Sequence, residues 1–307
     1  MDYRSSMSGA NRPSVHNAPK SLLVLVTGIS GNQGSHLAQY LLARGHRIRA
    51  LVRNPQHPRL ETFRSKRVDV VQGNFEDPAS IQQAARGIDA MFLMSTSFPA
   101  GPEAEARQAI SAIDAAKGVG VPWLVYSSVS DANRRTGIPH FESKFAVEEH
   151  LAKSGMSYAI TAPTSFMENF LAPFQMASIR QGKLVQALSP SRPVQMVALD
   201  DLSAFVGHVI ENPSVFQRKR VNVASDSSSG TEAAKILSEV SRRKIEFQEL
   251  PLEVLRSQNA DLAKMYEWFS RDGYTADIEG LRREYPMVGW QRLREWAARV
   301  DWNRATG

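Results

Sequence analysis

Three glycines, Gly28, Gly31 and Gly34, stand three residues apart in TGISGNQGSHLAQYLLARG (residues 27–45), directly after the apolar run Leu22 to Val26. A strand that enters a helix through such a turn gathers backbone N–H groups and the positive end of the helix dipole at one point. Glycine allows the tight turn, the close approach of a pyrophosphate, and the packing of helix on strand. The spacing is GxxGxxG rather than the general GxGxxG, but its strand-to-helix setting points to dinucleotide binding; the alternative is a turn needed only for packing. About 20 residues further on, an NAD-preferring site places an acidic residue against the ribose. This chain has Arg53 there, in ALVRNP. A guanidinium pairs with a 2′-phosphate and stacks on adenine, so NADP(H) is expected over NAD(H), the alternative being a plain surface arginine.

Other chemistries find little support. The 307 residues include no cysteine, which excludes disulfides, thiolate metal sites and a cysteine nucleophile. The seven histidines lack metal-like spacing and there is no HExxH, so no metal is expected. The neighbouring Glu148 and Glu149 read as a solvated helix face. A net charge of +6 invites a nucleic-acid reading, yet the basic residues are scattered. Their densest cluster, Arg218-Lys219-Arg220, sits beside an apparent strand, so a solvated surface is expected in preference to a nucleic-acid groove. No apolar run approaches the roughly 20 residues of a membrane span, and no signal-peptide core is present. A cytoplasmic protein, monomer or homodimer, with neither nucleic acid nor membrane as direct partner, is the resulting expectation.

The elements that must position these residues follow from periodicity. Strands are predicted at Leu22 to Val26, Arg47 to Arg53, Val68 to Val71, Ala90 to Met94, Trp123 to Tyr126 and from Tyr158. Between them, helices carry Leu37, Ala38, Leu41 and Leu42, then Ile81 to Ala85, residues 103–117 and residues 141–153. This alternation predicts an α/β fold, a doubly wound parallel sheet of Rossmann type, with a smaller C-terminal α+β lobe. Further strands are expected at Val194 to Ala198, Val221 to Ala224 and Ile245 to Leu250. Asp200 or Asp201 is the expected cap of a helix through Val209, and Thr231 of one through Val240, after a turn at Ser227 to Gly230. Trp268, Trp290, Trp296 and Trp302 are expected in the core of the smaller lobe. The expected division is a disordered tail over 1–20, a dinucleotide-binding domain over 21–162 with contributions from about 194–228, and a substrate or partner lobe over 163–193 and 229–307.

With these residues in view, the chain resembles the NmrA-like group of atypical short-chain dehydrogenases, which includes nitrogen-metabolite regulators, NADPH sensors and some reductases. The resemblance covers most of residues 21–300 and rests on VTGISGNQG (26–34), LVRNP (51–55), VVQGNFEDPAS (70–80), HFESKFAVEEHL (140–151) and TAPTSFMENF (161–170). It implies a cofactor cleft between the two lobes. Carried over by position, Thr27, Gly28, Ser30, Asn32, Gln33 and Gly34 surround the pyrophosphate and adjacent ribose. Asn74 and Phe75 lie near adenine, Ser95 and Thr96 near the nicotinamide ribose, and Pro163 to Phe166 beside the nicotinamide.

Short-chain dehydrogenases pair a tyrosine and a lysine as YxxxK, one helical turn apart, so that lysine holds the ribose and the phenol moves a proton. The matching positions here are His140 and Lys144. The resemblance keeps Lys144 as ribose ligand, while His140 is open between general acid, polar contact and structural residue. A serine after the fifth strand is also usual; VYSSVSD offers Ser127, Ser128 and Ser130, with Val129 in the best-matching register. Apolar candidates for the substrate side are Phe98, Phe166, Met167 and Phe170, equally explained as core, with Ser128 and His140 as polar ones. The expected function is an NADPH-dependent reductase of a small carbonyl, quinone or imine. Alternatives are a non-catalytic NADP(H) sensor acting through a regulatory protein partner and, third, a non-redox cyclase.

Overall fold

Leu23–Thr27 (β1) is buried along nearly its whole length, as a strand covered by helices on both faces must be. The computed structural model describes residues 21–302 apart from 65 and 67, so the expected tail over residues 1–20 lies outside the described residues. The remaining strands in chain order are β2 (Arg47–Val52), β3 (Asp69–Gln72), β4 (Ala90–Met94), β5 (Leu124–Ser127), β6 (Tyr158–Pro163) and β7 (Ser165–Phe166). They continue as β8 (Lys183–Gln186), β9 (Pro193–Val197), β10 (Arg220–Val223), β11 (Asp226–Ser229) and β12 (Glu246–Glu249). Seven of them form one parallel sheet in the order β10-β6-β5-β4-β1-β2-β3. The order reverses between β1 and β4, and such a switch point opens a crevice at the carboxyl ends of the strands. The central strands are continuous apolar runs, whereas edge strand β3 is largely exposed.

Five helices bear on the site: α1 (Asn32–Ala43), α2 (Pro102–Gly118), α3 (Pro139–Lys153), α4 (Leu199–Glu211) and α5 (Ala260–Arg271). On one face of the sheet Leu37 and Leu41 of α1 pack with Phe205 and Val209 of α4. Gly207 makes this approach possible, since a Cβ there would stand 2.4 Å from the Tyr40 ring. On the other face Ala112 and Ile113 of α2 meet Val147 and Leu151 of α3 across Tyr126. A three-stranded sheet, β11-β9-β7, and a two-stranded one, β12-β8, build the smaller lobe around Met167, Leu184, Leu237 and Trp296.

Several local expectations are corrected. Residues 226–229 are strand rather than turn, antiparallel to β9, and Ser229 rather than Thr231 caps the following helix through a capping box with Glu232. Neither Asp200 nor Asp201 caps α4. Its first N–H, that of Leu199, donates instead at 3.1 Å to a carboxylate from a distant segment, Glu168. Asp201 is buried and accepts from Ser225 and from the backbone N–H and the side-chain amide of Gln291. Strand β9, predicted as a strand at Val194 to Ala198, pairs with β11 and β7 in the three-stranded sheet. Trp290 packs in the main core against Phe205, not in the smaller lobe.

Helix α3, which carries His140 and Lys144, is anchored by Phe141. That ring is fully buried, stacked on Tyr274 and edge-on to Trp268. Burying such a side chain is worth about 1.5–3 kcal/mol, against about 0–1 kcal/mol for a partly exposed ion pair. The ring, more than any charge, therefore sets where this helix begins.

Candidate functional site

A cavity of about 550 Å³ opens at the carboxyl ends of β1 to β4. Thr27, Gly28 and Ser30 line it at the glycine turn, and Arg53, Asn74 and Phe75 at the outer end. Ser95, Thr96 and Phe98 line it beyond β4. Gly28 has φ +69°, a left-handed conformation suited to glycine, and its carbonyl accepts the Gly31 N–H at 2.8 Å. Thr27 stitches β1 to β4, its hydroxyl accepting the Met94 N–H at 2.8 Å. A Cβ on Gly34 would lie 2.4 Å from the Gly28 carbonyl oxygen, so the third glycine permits the close seating of α1 on the turn. Among the described residues no side chain caps the first turn of α1, where Gly31 is the N-cap. Its N–H groups are therefore suited to an anion.

Gly31, Asn32, Gln33 and Gly34 do not line this cavity. Gln33 is buried and donates to Ser127 at 2.6 Å, tying α1 to β5. Asn32 accepts at 3.0 Å from Arg59, which also donates to the Ser30 carbonyl. A second guanidinium is thus pinned on the glycine turn. Only its basic character, six residues after Arg53, hinted at it in the sequence. Asn74 uses its side-chain oxygen to accept the Glu76 N–H at 2.7 Å, which shapes the loop beneath the outer end of the cavity.

Lys144, on α3, does not itself line this cavity but stands against Ser95, which does. Its Nζ donates to the Ser95 carbonyl at 3.1 Å and pairs with Glu105 at 2.8 Å. Glu105, on α2, also accepts from the hydroxyls of Ser95 at 3.0 Å and Ser143 at 2.7 Å. The Tyr126 ring lies 5.9 Å from Nζ, and burial keeps its phenol protonated by pushing its pKa far up. His140 bonds through Nδ1 to Asp261 of α5 at 2.6 Å. Neither Glu105 nor Asp261 was visible in the sequence, because each is brought in from a separate element.

The serines at and after the end of β5 are all bonded inside the protein. Ser127 accepts from Gln33, Ser128 donates to Glu148, and Ser130 donates to Asp131 at 2.7 Å. Glu148 is accordingly buried, not on a solvated face, and pairs with Arg220 at 2.8 Å; one member of the basic cluster at 218–220 is an internal partner. Pro163 is buried at the end of β6, where its carbonyl accepts the Ser130 N–H. Phe166 and Phe170 line a smaller cavity of about 130 Å³ with Tyr266 and Phe269. Met167 is fully buried in the core of the smaller lobe and lines neither cavity. Among the described residues no cluster of His, Asp or Glu is placed to hold a metal ion, and no helix is long and apolar enough to cross a membrane.

The profile of the NmrA-like family matches residues 20–297. The (4-alkanoyl-5-oxo-2,5-dihydrofuran-3-yl)methyl phosphate reductase of Streptomyces griseus is 30% identical over 236 residues, 76% of this chain and 79% of its own length. Among solved structures, an NADPH-dependent quinone oxidoreductase from Escherichia coli complexed with NADPH superposes with a TM-score of 0.75 at 23% identity, covering 90% of this chain and 99% of that one. NmrA, a negative transcriptional regulator in complex with NADP, superposes with a TM-score of 0.76 at 19% identity, covering 92% and 99%. At these identities the two structures share the fold with this chain.

Proposed function

The chain belongs to the NmrA-like family, and from that premise we propose that it is an NADPH-dependent reductase of a small carbonyl, quinone or imine. The observation that carries this reading is the 550 Å³ cavity, which joins the glycine turn and Arg53 at one end to Ser95, beside Lys144, at the other. Its lining suits NADP(H). Gly28 and Ser30 offer backbone N–H groups to the pyrophosphate, with Gly31 and Gly34 shaping the turn behind them. Arg53, with Arg59 beside the turn, pairs with the 2′-phosphate, and a guanidinium there disfavours NAD(H), which has no phosphate to meet it. Asn74 and Phe75 border adenine, and Ser95, Thr96 and Lys144 take the nicotinamide ribose. Bound there, NADPH supplies a hydride.

The acceptor's oxygen or nitrogen also needs a proton. Two groups in this chain can hold or give one: Lys144, bonded to the Ser95 carbonyl, and His140, one turn before it on α3 with its Nδ1 held by Asp261. Phe98, on the main cavity, supplies an apolar face toward the acceptor; Phe166 and Phe170 line the smaller cavity instead, and Met167 and Ser128 take no part because both are buried and engaged elsewhere. Relatives' names support the chemistry: one reduces an unsaturated lactone phosphate and another a quinone, by their descriptions.

A second reading has an observation of its own. With histidine in place of tyrosine and all three serines committed internally, the usual proton-transfer set is absent, as a redox sensor working through a protein partner would tolerate. Stopped-flow oxidation of bound NADPH against quinones, imines and ketones separates the two. Turnover of at least one class, slowed in His140→Ala with NADPH affinity retained, is the expected outcome. NADPH that stays bound and unoxidised across the whole panel would overturn the reductase in favour of the sensor.

A further inference from the structure

We propose that Glu105 is the positioning residue for Lys144, holding its ammonium so that one N–H is left for the ligand of the main cavity; this rests on the NADPH reading above. Glu105 is 1% exposed on the inner face of α2. A carboxylate leaves water only where donors replace it, and here Lys144, Ser95 and Ser143 do so. Ser95 lines the main cavity, and Ser143 precedes Lys144 on α3.

An ammonium has three protons. One goes to Glu105 and one to the Ser95 carbonyl, at 2.8 and 3.1 Å, and the Tyr126 ring flanks the group. The third proton is the one left to bind a ribose hydroxyl. Without the carboxylate, a flexible four-carbon stem would have to be ordered each time the ligand arrived, and that ordering weakens binding. Stability alone is a poor reason for such a pair, since desolvating two charges often costs as much as their attraction returns.

The test is a double-mutant cycle on the full chain, with NADPH affinity read from the fluorescence of the bound nicotinamide. Glu105→Gln keeps the shape and removes the charge; Lys144→Met removes the ammonium. Each single change is expected to weaken NADPH by about tenfold, the worth of one charge-assisted hydrogen bond. If Glu105 acts through Lys144, the double variant binds no more weakly than Lys144→Met alone. Losses that multiply in the double variant, or a Glu105→Gln chain that binds as tightly as the unaltered one, would overturn the proposal. Should Glu105→Gln fail to fold, Ser143→Ala loosens the same carboxylate. It must then weaken NADPH in the presence of Lys144 and have no effect in the Lys144→Met background; any other pattern rejects the role. An unaltered chain that binds no NADPH would instead bring down the functional reading itself, and this pair's role with it.

Discussion

We propose Arg53 as the residue on which cofactor choice turns. It lies exposed at the end of β2, and it lines the same cavity as Gly28. Arg53→Ala is expected to cut the preference for NADPH over NADH by about 10- to 100-fold, the range for losing a hydrogen-bonded charge on a phosphate. Titration with both nucleotides checks this, and an unchanged ratio would shift the selection to Arg59. His140 shows the limit of single-residue reading. By type and spacing it is a stand-in for tyrosine; in the fold it is one half of a pair with Asp261, on a helix fixed by the ring of Phe141.

At the scale of elements, the glycine turn and α1 act as one piece. Gly34→Ala would set a Cβ against backbone atoms of Gly28 and Ile29 that have no room to yield. A loss of about 2–3 kcal/mol, with weaker NADPH binding, is the expected outcome, read by chemical denaturation and by cofactor titration. The contact of α1 with α4 carries a pH signature. His36 bonds to Asp200 at 2.8 Å, and this bond raises the pKa of the imidazole above 6.5 while lowering that of the carboxyl. A raised histidine pKa gives stability that is complete below about pH 6.5 and fades as pH rises through the folded value. The contribution is small, because both side chains are partly exposed. Melting temperatures at about pH 6 and pH 8.5 should therefore differ less in His36→Gln than in the unaltered chain. A difference of equal size in both would remove this pair from the account. Deeper in, burial pushes the Glu168 carboxyl up even as it accepts from Leu199 and Trp296. The start of α4 is thus served by a residue more than 30 positions earlier, at a cost in desolvation.

For the molecule as a whole, the loop after β5 is joined to the C-terminal segment. Asp131, buried and at φ +61°, accepts from the Thr275 N–H at 2.9 Å and from Ser130 at 2.7 Å. Asp131→Asn tolerates the left-handed backbone but removes the charge, so a loss of about 1–3 kcal/mol in urea unfolding is expected. Unfolding indistinguishable from that of the unaltered chain would mean that the tie contributes nothing. The smaller cavity is likewise a product of several segments, with Phe166 from β7 and Tyr266 and Phe269 from α5.

The parallel sheet, the glycine turn, the place of Arg53 after β2 and that of Lys144 one turn past His140 were legible in the sequence because each depends on local features: strand and helix periods, turn chemistry, and a fixed number of residues per helical turn. The capping of α4 by Glu168, the burial of Glu148, the place of Trp290 in the main core and the carboxylates facing Lys144 and His140 were not. Glu105 and Asp261 stand 39 and 121 positions from the residues they meet. Nothing in a local pattern separates a carboxylate that will be buried beside a cation from one that will face water. That difference is made by which helix faces pack together, and only the tertiary structure brings those faces into contact.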